Sequence, residues 1–91
     1  MIFEIKRTAA FKRALKKIKD AALLKELEKV IDLLAAGELL PPKFEDHALK
    51  GYAKNTRECH VRPDVLLIYR KDKNLLILTL VDFGSHSELF G

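Results

Sequence analysis

Two nearly continuous apolar runs, Val65-Leu66-Leu67-Ile68-Tyr69 and Leu75-Leu76-Ile77-Leu78-Thr79-Leu80-Val81, constrain this 91-residue chain more than any other feature. A strand with one wet face alternates apolar and polar residues, so these two read as strands with both faces at least partly covered. Lys71-Asp72-Lys73-Asn74 joins Val65–Lys71 to Leu75–Asp82 by a polar turn short enough to make them antiparallel neighbours. A third strand, Arg57–Arg62, precedes them across a turn at Pro63-Asp64. Its alternation puts Glu58, His60 and Arg62 on one side and Arg57, Cys59 and Val61 on the other, and the side with His60 is assigned to the open face. The cover for the opposite face has to come from earlier in the chain.

Ile2, Phe3 and Ile5, interleaved with Glu4 and Lys6, predict a short opening strand. Thr8 is placed to cap a helix over about residues 9–19, in which Phe11, Ala14, Leu15 and Ile18 recur at helical spacing. A second helix from about Ala21 to Ala36 carries Leu23, Leu24, Leu27, Val30, Ile31 and Leu34 as its apolar stripe. The short junction at Lys19-Asp20 makes the two an αα-hairpin, and Gly37 with Pro41-Pro42 ends it. Residues 43–56 read as a loop with at most a short strand near Ala48–Gly51. The expected fold class is α+β: an N-terminal strand and an α-helical hairpin packed on a mainly antiparallel sheet of about four strands. One domain over residues 1–91 is expected, since a chain of this length buries roughly 60–65% of its unfolded surface, enough for one core.

Lys and Arg number 17 against 13 Asp and Glu, giving a net charge of +4. The excess gathers in residues 1–20, where Lys6, Arg7, Lys12, Arg13, Lys16, Lys17 and Lys19 face only Glu4 and Asp20. Charge alone leaves three readings of that lobe open: a phosphate-facing surface, a surface for an acidic partner, or a solvated helix face. The single cysteine, Cys59, excludes an internal disulfide and suits a reducing compartment. The first residues do not follow a signal-peptide pattern, and no apolar run approaches the ~20 residues of a membrane span. A cytoplasmic protein without membrane attachment is expected.

Three polar constellations interrupt the apolar segments, and each holds one of the chain's three histidines: Asp46-His47-Ala48-Leu49-Lys50-Gly51, Arg57-Glu58-Cys59-His60-Val61-Arg62-Pro63-Asp64 and Gly84-Ser85-His86-Ser87-Glu88-Leu89-Phe90. Histidine, with an unperturbed pKa of about 6.5, gives and takes protons near neutral pH. Three imidazoles and a carboxylate suit RNA cleavage by attack of the 2′-hydroxyl on the neighbouring phosphorus, which needs a base, an acid and a cation for the phosphoryl charge. Asp64 is placed to orient an imidazole or to act as a base. Lys50, Arg57 and Arg62 are candidates for holding phosphate, and Phe90 or Tyr52 for stacking on an unpaired base. The plainer readings stand beside these: surface histidines, a turn aspartate at Asp64, and Phe90 and Cys59 filling the core. No CxxC pair and no HxxxH or HExxH helix is present, so neither a metal nor another cofactor is expected.

The order of the three blocks, together with Leu67-Ile68-Tyr69 and the preceding basic helical hairpin, resembles the YafQ family of bacterial type II toxins within the RelE/ParE superfamily. The resemblance implies a β-α-α-β-β-β domain that cleaves messenger RNA without a metal, typically in the ribosomal A site, as a monomer when free and as a hetero-oligomer with a cognate antitoxin. It carries the family's catalytic roles onto His47, His60, Asp64 and His86, and a substrate contact onto Phe90. Val65 stands where some relatives have tryptophan after the aspartate, so stacking and codon preference are not carried over. The resemblance also gives Lys12, Arg13, Lys16 and Lys17 a use, against ribosomal RNA or an acidic antitoxin segment. Two rivals remain: ParE-type relatives share the fold and act as non-catalytic binders of a protein target, DNA gyrase, and a non-toxic RNA- or protein-binding regulator would keep the blocks for stability.

Overall fold

A computed structural model describes residues 2–91 as one mixed sheet with two helices on one face and a short third helix at its end. The elements are β1 (Glu4–Arg7), α1 (Ala9–Lys16), α2 (Ala21–Ala35), a 3₁₀ turn at Pro42–Phe44, β2 (His47–Ala48), β3 (Thr56–Arg62), β4 (Val65–Asp72), β5 (Ile77–Gly84) and α3 (His86–Phe90). The strand order is β1-β5-β4-β3-β2. The pairs β2–β3, β3–β4 and β4–β5 are antiparallel, and β1 lies parallel to β5 at the far edge. The sheet therefore has five strands where about four were expected, the fifth being the two-residue β2.

Capping chemistry sets the boundaries of the hairpin. The Thr8 side chain accepts from the Phe11 amide at 3.0 Å and starts α1. Asp20 accepts from the amides of Ala22 and Leu23 and starts α2. Because Asp20 has to be extended to do so, α1 ends at Lys16 and not near residue 19, with Lys17 and Ile18 closing the last turn. The amides of Gly37 and Glu38 return to the carbonyls of Leu34 and Leu33, and Gly37 takes a φ of +79°. This is a Schellman ending, and any other residue at Gly37 would be strained as well as crowded against Ile2. Ile2 and Phe3 in turn donate to the Ala35 carbonyl, tying β1 to the end of α2.

Phe11 of α1 and Leu27, Val30, Leu34 and Ala35 of α2 pack on Cys59, Val61, Leu67, Tyr69, Leu78, Leu80 and Phe83 of the sheet. Each fully buried Leu, Val or Phe contributes about 1.5–3 kcal/mol of transfer free energy. Alternation then puts the neighbouring residues of β3, Glu58 and His60, on the sheet face away from these helices, as assigned from sequence. The C-terminal part also differs from expectation, in one boundary and one element. β5 begins at Ile77, because Asp72 accepts from the amides of Asn74 and Leu75 and Leu76 is left-handed at φ +55°, so the turn extends over residues 73–76. α3 was not expected at all, although Ser85 and Glu88 form a capping box at its start.

Candidate active site

Strand pairing builds the site from two distant segments. β2 pairs with β3 so that His47 lies opposite Glu58, and His60 follows two residues along β3 on the same face. The Glu58 carboxylate is almost completely buried, with 6% of its side chain exposed. Its Oε1 lies 3.4 Å from His47 Nε2 and 3.8 Å from His60 Nε2. The far nitrogens are held by backbone carbonyls: His47 Nδ1 donates to Glu45 at 2.7 Å and His60 Nδ1 donates to Pro63 at 3.2 Å. Each ring therefore stands between a fixed carbonyl and one shared carboxylate, a layout that orients both imidazoles and lets either exchange a proton.

The C-terminal block completes the row. Ser85 accepts from the Glu88 amide, and Glu88 accepts from the Ser85 amide at 2.8 Å. That amide, followed by the Ser85 hydroxyl, holds the Glu88 carboxyl below its ordinary range. The capped turn presents His86 with its ring centroid 6.2 Å from that of His60, and Phe90, one helical turn on, stands 5.7 Å from His86. Tyr52, from the loop between β2 and β3, meets the Phe90 ring edge-on at 6.3 Å. His47 to His60 is 6.5 Å, so three imidazoles and two aromatics form one continuous strip.

The other expected site residues lie around this strip in different ways. Asp64 is exposed in the β3–β4 turn, and among the described residues its carboxylate makes no hydrogen bond or ion pair. It lines a neighbouring cleft of about 460 Å³, shared with Arg13 and Lys17 of α1 and with Ser85 and Glu88. Lys50 is exposed in the β2–β3 loop. Arg57 and Arg62, expected to hold phosphate, both have internal partners. Arg57 Nε donates to Asp46 at 3.2 Å, on the helix side of the sheet, where Tyr69 donates to the same oxygen at 2.6 Å. Arg62 makes a two-pronged contact to Glu26 at 2.8 and 2.9 Å and reaches Asp20 at 3.1 Å. Lys12, Arg13, Lys16 and Lys17 are exposed on α1, on the helix layer and not on the histidine face. Glu58 was missed as a site residue, although alternation put it on the His60 side. No three His, Cys, Asp or Glu side chains among the described residues are arranged to hold one metal ion.

The fold and site define a small α+β protein with an acid–base face of histidines around a buried carboxylate. Residues 3–91 match the family described as bacterial toxin of type II toxin–antitoxin system, YafQ. The mRNA interferase toxin YafQ of Escherichia coli (strain K12) is 41% identical over 81 residues, covering 88% of this chain and 83% of its own. The crystal structure of the E. coli DinJ-YafQ complex superposes with a TM-score of 0.87 at 29% identity, covering 98% of this chain and 99% of that one. A metal-bound toxin from Helicobacter pylori gives 0.85 at 43% identity, covering 99% and 100%. The chain belongs to the YafQ family of type II toxins.

Proposed function

We propose that this protein is the toxin of a type II toxin–antitoxin pair and an endoribonuclease that cleaves messenger RNA by attack of a 2′-hydroxyl on the adjacent phosphorus. The observation that carries the reading is the buried Glu58 carboxylate between His47 and His60, with His86 next along the row. A base takes the 2′-hydroxyl proton, the oxygen attacks phosphorus, and an acid protonates the departing 5′-oxygen, leaving a 2′,3′-cyclic phosphate. His60, with Asp64 beside its turn, is the first candidate for the base, and His86 for the acid or a phosphate contact. His47 takes the remaining proton transfer or the phosphoryl charge. Glu58 orients His47 and His60 and balances their charge when protonated. Phe90 stacks on a base or sugar.

The named relatives support an antitoxin partner and messenger RNA as the target; action on the ribosome and an antitoxin encoded beside the toxin follow from the family resemblance alone. The free toxin is a monomer forming one domain, and it works in the cytoplasm; among the described residues no helix is long and apolar enough to cross a membrane. The reaction runs without a metal. The variants His60→Ala and His86→Ala test the reading: each is expected to slow cleavage by about 10²-fold or more while circular dichroism and melting stay unchanged. A folded double variant that cleaves at the wild-type rate overturns it.

A further inference from the structure

The open sheet face continues past the histidines. Two residues along the strands from the row Glu58–Ile68 lies the row Thr56–Arg70–Thr79, a step of about 7 Å on the same face. Beyond it, a cavity of about 300 Å³ is lined by Arg70, Thr79 and Ile77 of the sheet and by Lys54 of the β2–β3 loop. Arg70 and Lys54 are exposed, and neither has an ion-pair partner among the described residues. The carboxylate that lines this cavity, Asp72, has its Oδ1 occupied by the amides of Asn74 and Leu75. Lys71 also borders the cavity, but its ammonium lies 5.0 Å from the centroid of the Phe3 ring on the helix side. The loop carrying Lys54 is pinned at both ends: the Leu49 amide donates to the Thr56 carbonyl and the Lys71 amide to that of Asn55. The same loop holds Tyr52 against Phe90, so it links the aromatic end of the histidine strip to the cationic cavity.

We infer that Arg70 and Lys54 form a phosphate subsite for the backbone of single-stranded RNA flanking the cleavage point. This rests on the RNA-cleaving reading. An exposed guanidinium and an ammonium at the edge of a cavity lined by Ile77 and Thr79 suit a phosphodiester, which guanidinium binds through two parallel donors. Because the contact is to backbone, it adds affinity without sequence preference. The α1 lysines lie on the helix layer, and Lys6, opposite Thr79 in the same row, is paired with Glu4 at 3.4 Å, which leaves Arg70 and Lys54, among the described residues, as the unpaired cations at this cavity.

The test measures binding of a labelled 2′-O-methyl RNA oligonucleotide, which lacks the nucleophile, as a function of salt. Wild type is compared with Lys54→Ala/Arg70→Ala and with the charge-matched control Arg7→Ala/Lys25→Ala on the helix side of the sheet. The subsite variant is expected to bind about tenfold more weakly or worse. Its log–log salt slope should be shallower by about 1.4, two single-strand phosphate contacts. The control should keep the wild-type slope. Equal slopes in all three proteins, equal losses in both variants, or no binding by the wild type overturn the subsite. Cleavage of unmodified RNA is read in parallel: a wild type that binds with the expected slope but never cleaves retains the subsite and removes the nuclease reading.

Discussion

Glu58 and Cys59 are adjacent in β3, and their environments are opposite. Cys59 faces the core, where burial, then the nearby Asp46 and Glu58 charges, push its thiol up to about 12. It is a core residue without nucleophilic use at neutral pH. Glu58 is buried on the other face, against two imidazoles. An isolated buried carboxylate is costly, so its retention beside two proton-carrying rings points to work on those rings. Glu58→Gln keeps the shape and removes the charge. It is expected to lower kcat about tenfold or more and to move the acidic limb of the pH–rate profile, with KM for RNA little changed. An unchanged profile would reduce Glu58 to a packing role. The histidines were legible because only three exist and each sits in a polar block. Glu58 was not, because it is one of 13 acidic residues and its meaning depends on pairing with β2, eleven positions away in the chain.

At the scale of elements, the hairpin was legible through Thr8, the Lys19-Asp20 junction and Gly37, and through its apolar periodicity; that Asp20 caps α2 was not. α3 was equally legible in principle, since Ser85 and Glu88 have capping-box spacing, but five residues are too few for periodicity to announce a helix. What local pattern does not carry is the clamp between α2 and the end of β3. Arg62, expected at the substrate, instead joins Glu26 and Asp20 across 36 and 42 residues of chain. The clamp fixes the strand end two residues from His60. The Leu23 amide, followed by Arg62, holds the Asp20 carboxyl below its usual range, and Arg62 does the same for Glu26. Groups with depressed folded pKa values stabilise above the unfolded value of about 4, and that stabilisation fades as pH falls below it. Arg62→Met should therefore lower the urea midpoint at pH 7 and converge with wild type at pH 3. Equal differences at both pH values would mean that the clamp acts through packing alone. Both carboxylates are exposed, so the effect at pH 7 should be small.

The whole molecule divides its charge between two layers. α1 carries Lys12, Arg13, Lys16 and Lys17 on the helix side, while the histidine strip, Lys54 and Arg70 occupy the open face of the sheet. On the proposed reading, Lys12 and Lys16 are left to a large partner, ribosome or antitoxin, and messenger RNA takes the open face, with Arg13 and Lys17 at the cleft shared with Asp64, Ser85 and Glu88. The antiparallel run β3-β4-β5 followed from short turns and apolar strands. The placement of β1 beside β5 did not, because a parallel edge contact between residues 4–7 and 77–80 has no local signal. The central claim is that this open face cleaves RNA by 2′-hydroxyl attack with side chains as acid and base. The measurement that tests it most directly is the chemistry of the new ends, read on a defined single-stranded RNA in EDTA and on translating ribosomes in magnesium buffer. Cleavage that survives chelation and leaves 2′,3′-cyclic or 3′-phosphate ends with 5′-hydroxyls is the predicted result. Cleavage of the free RNA that requires added metal, or cleavage of either substrate that leaves 3′-hydroxyls and 5′-phosphates, would contradict it.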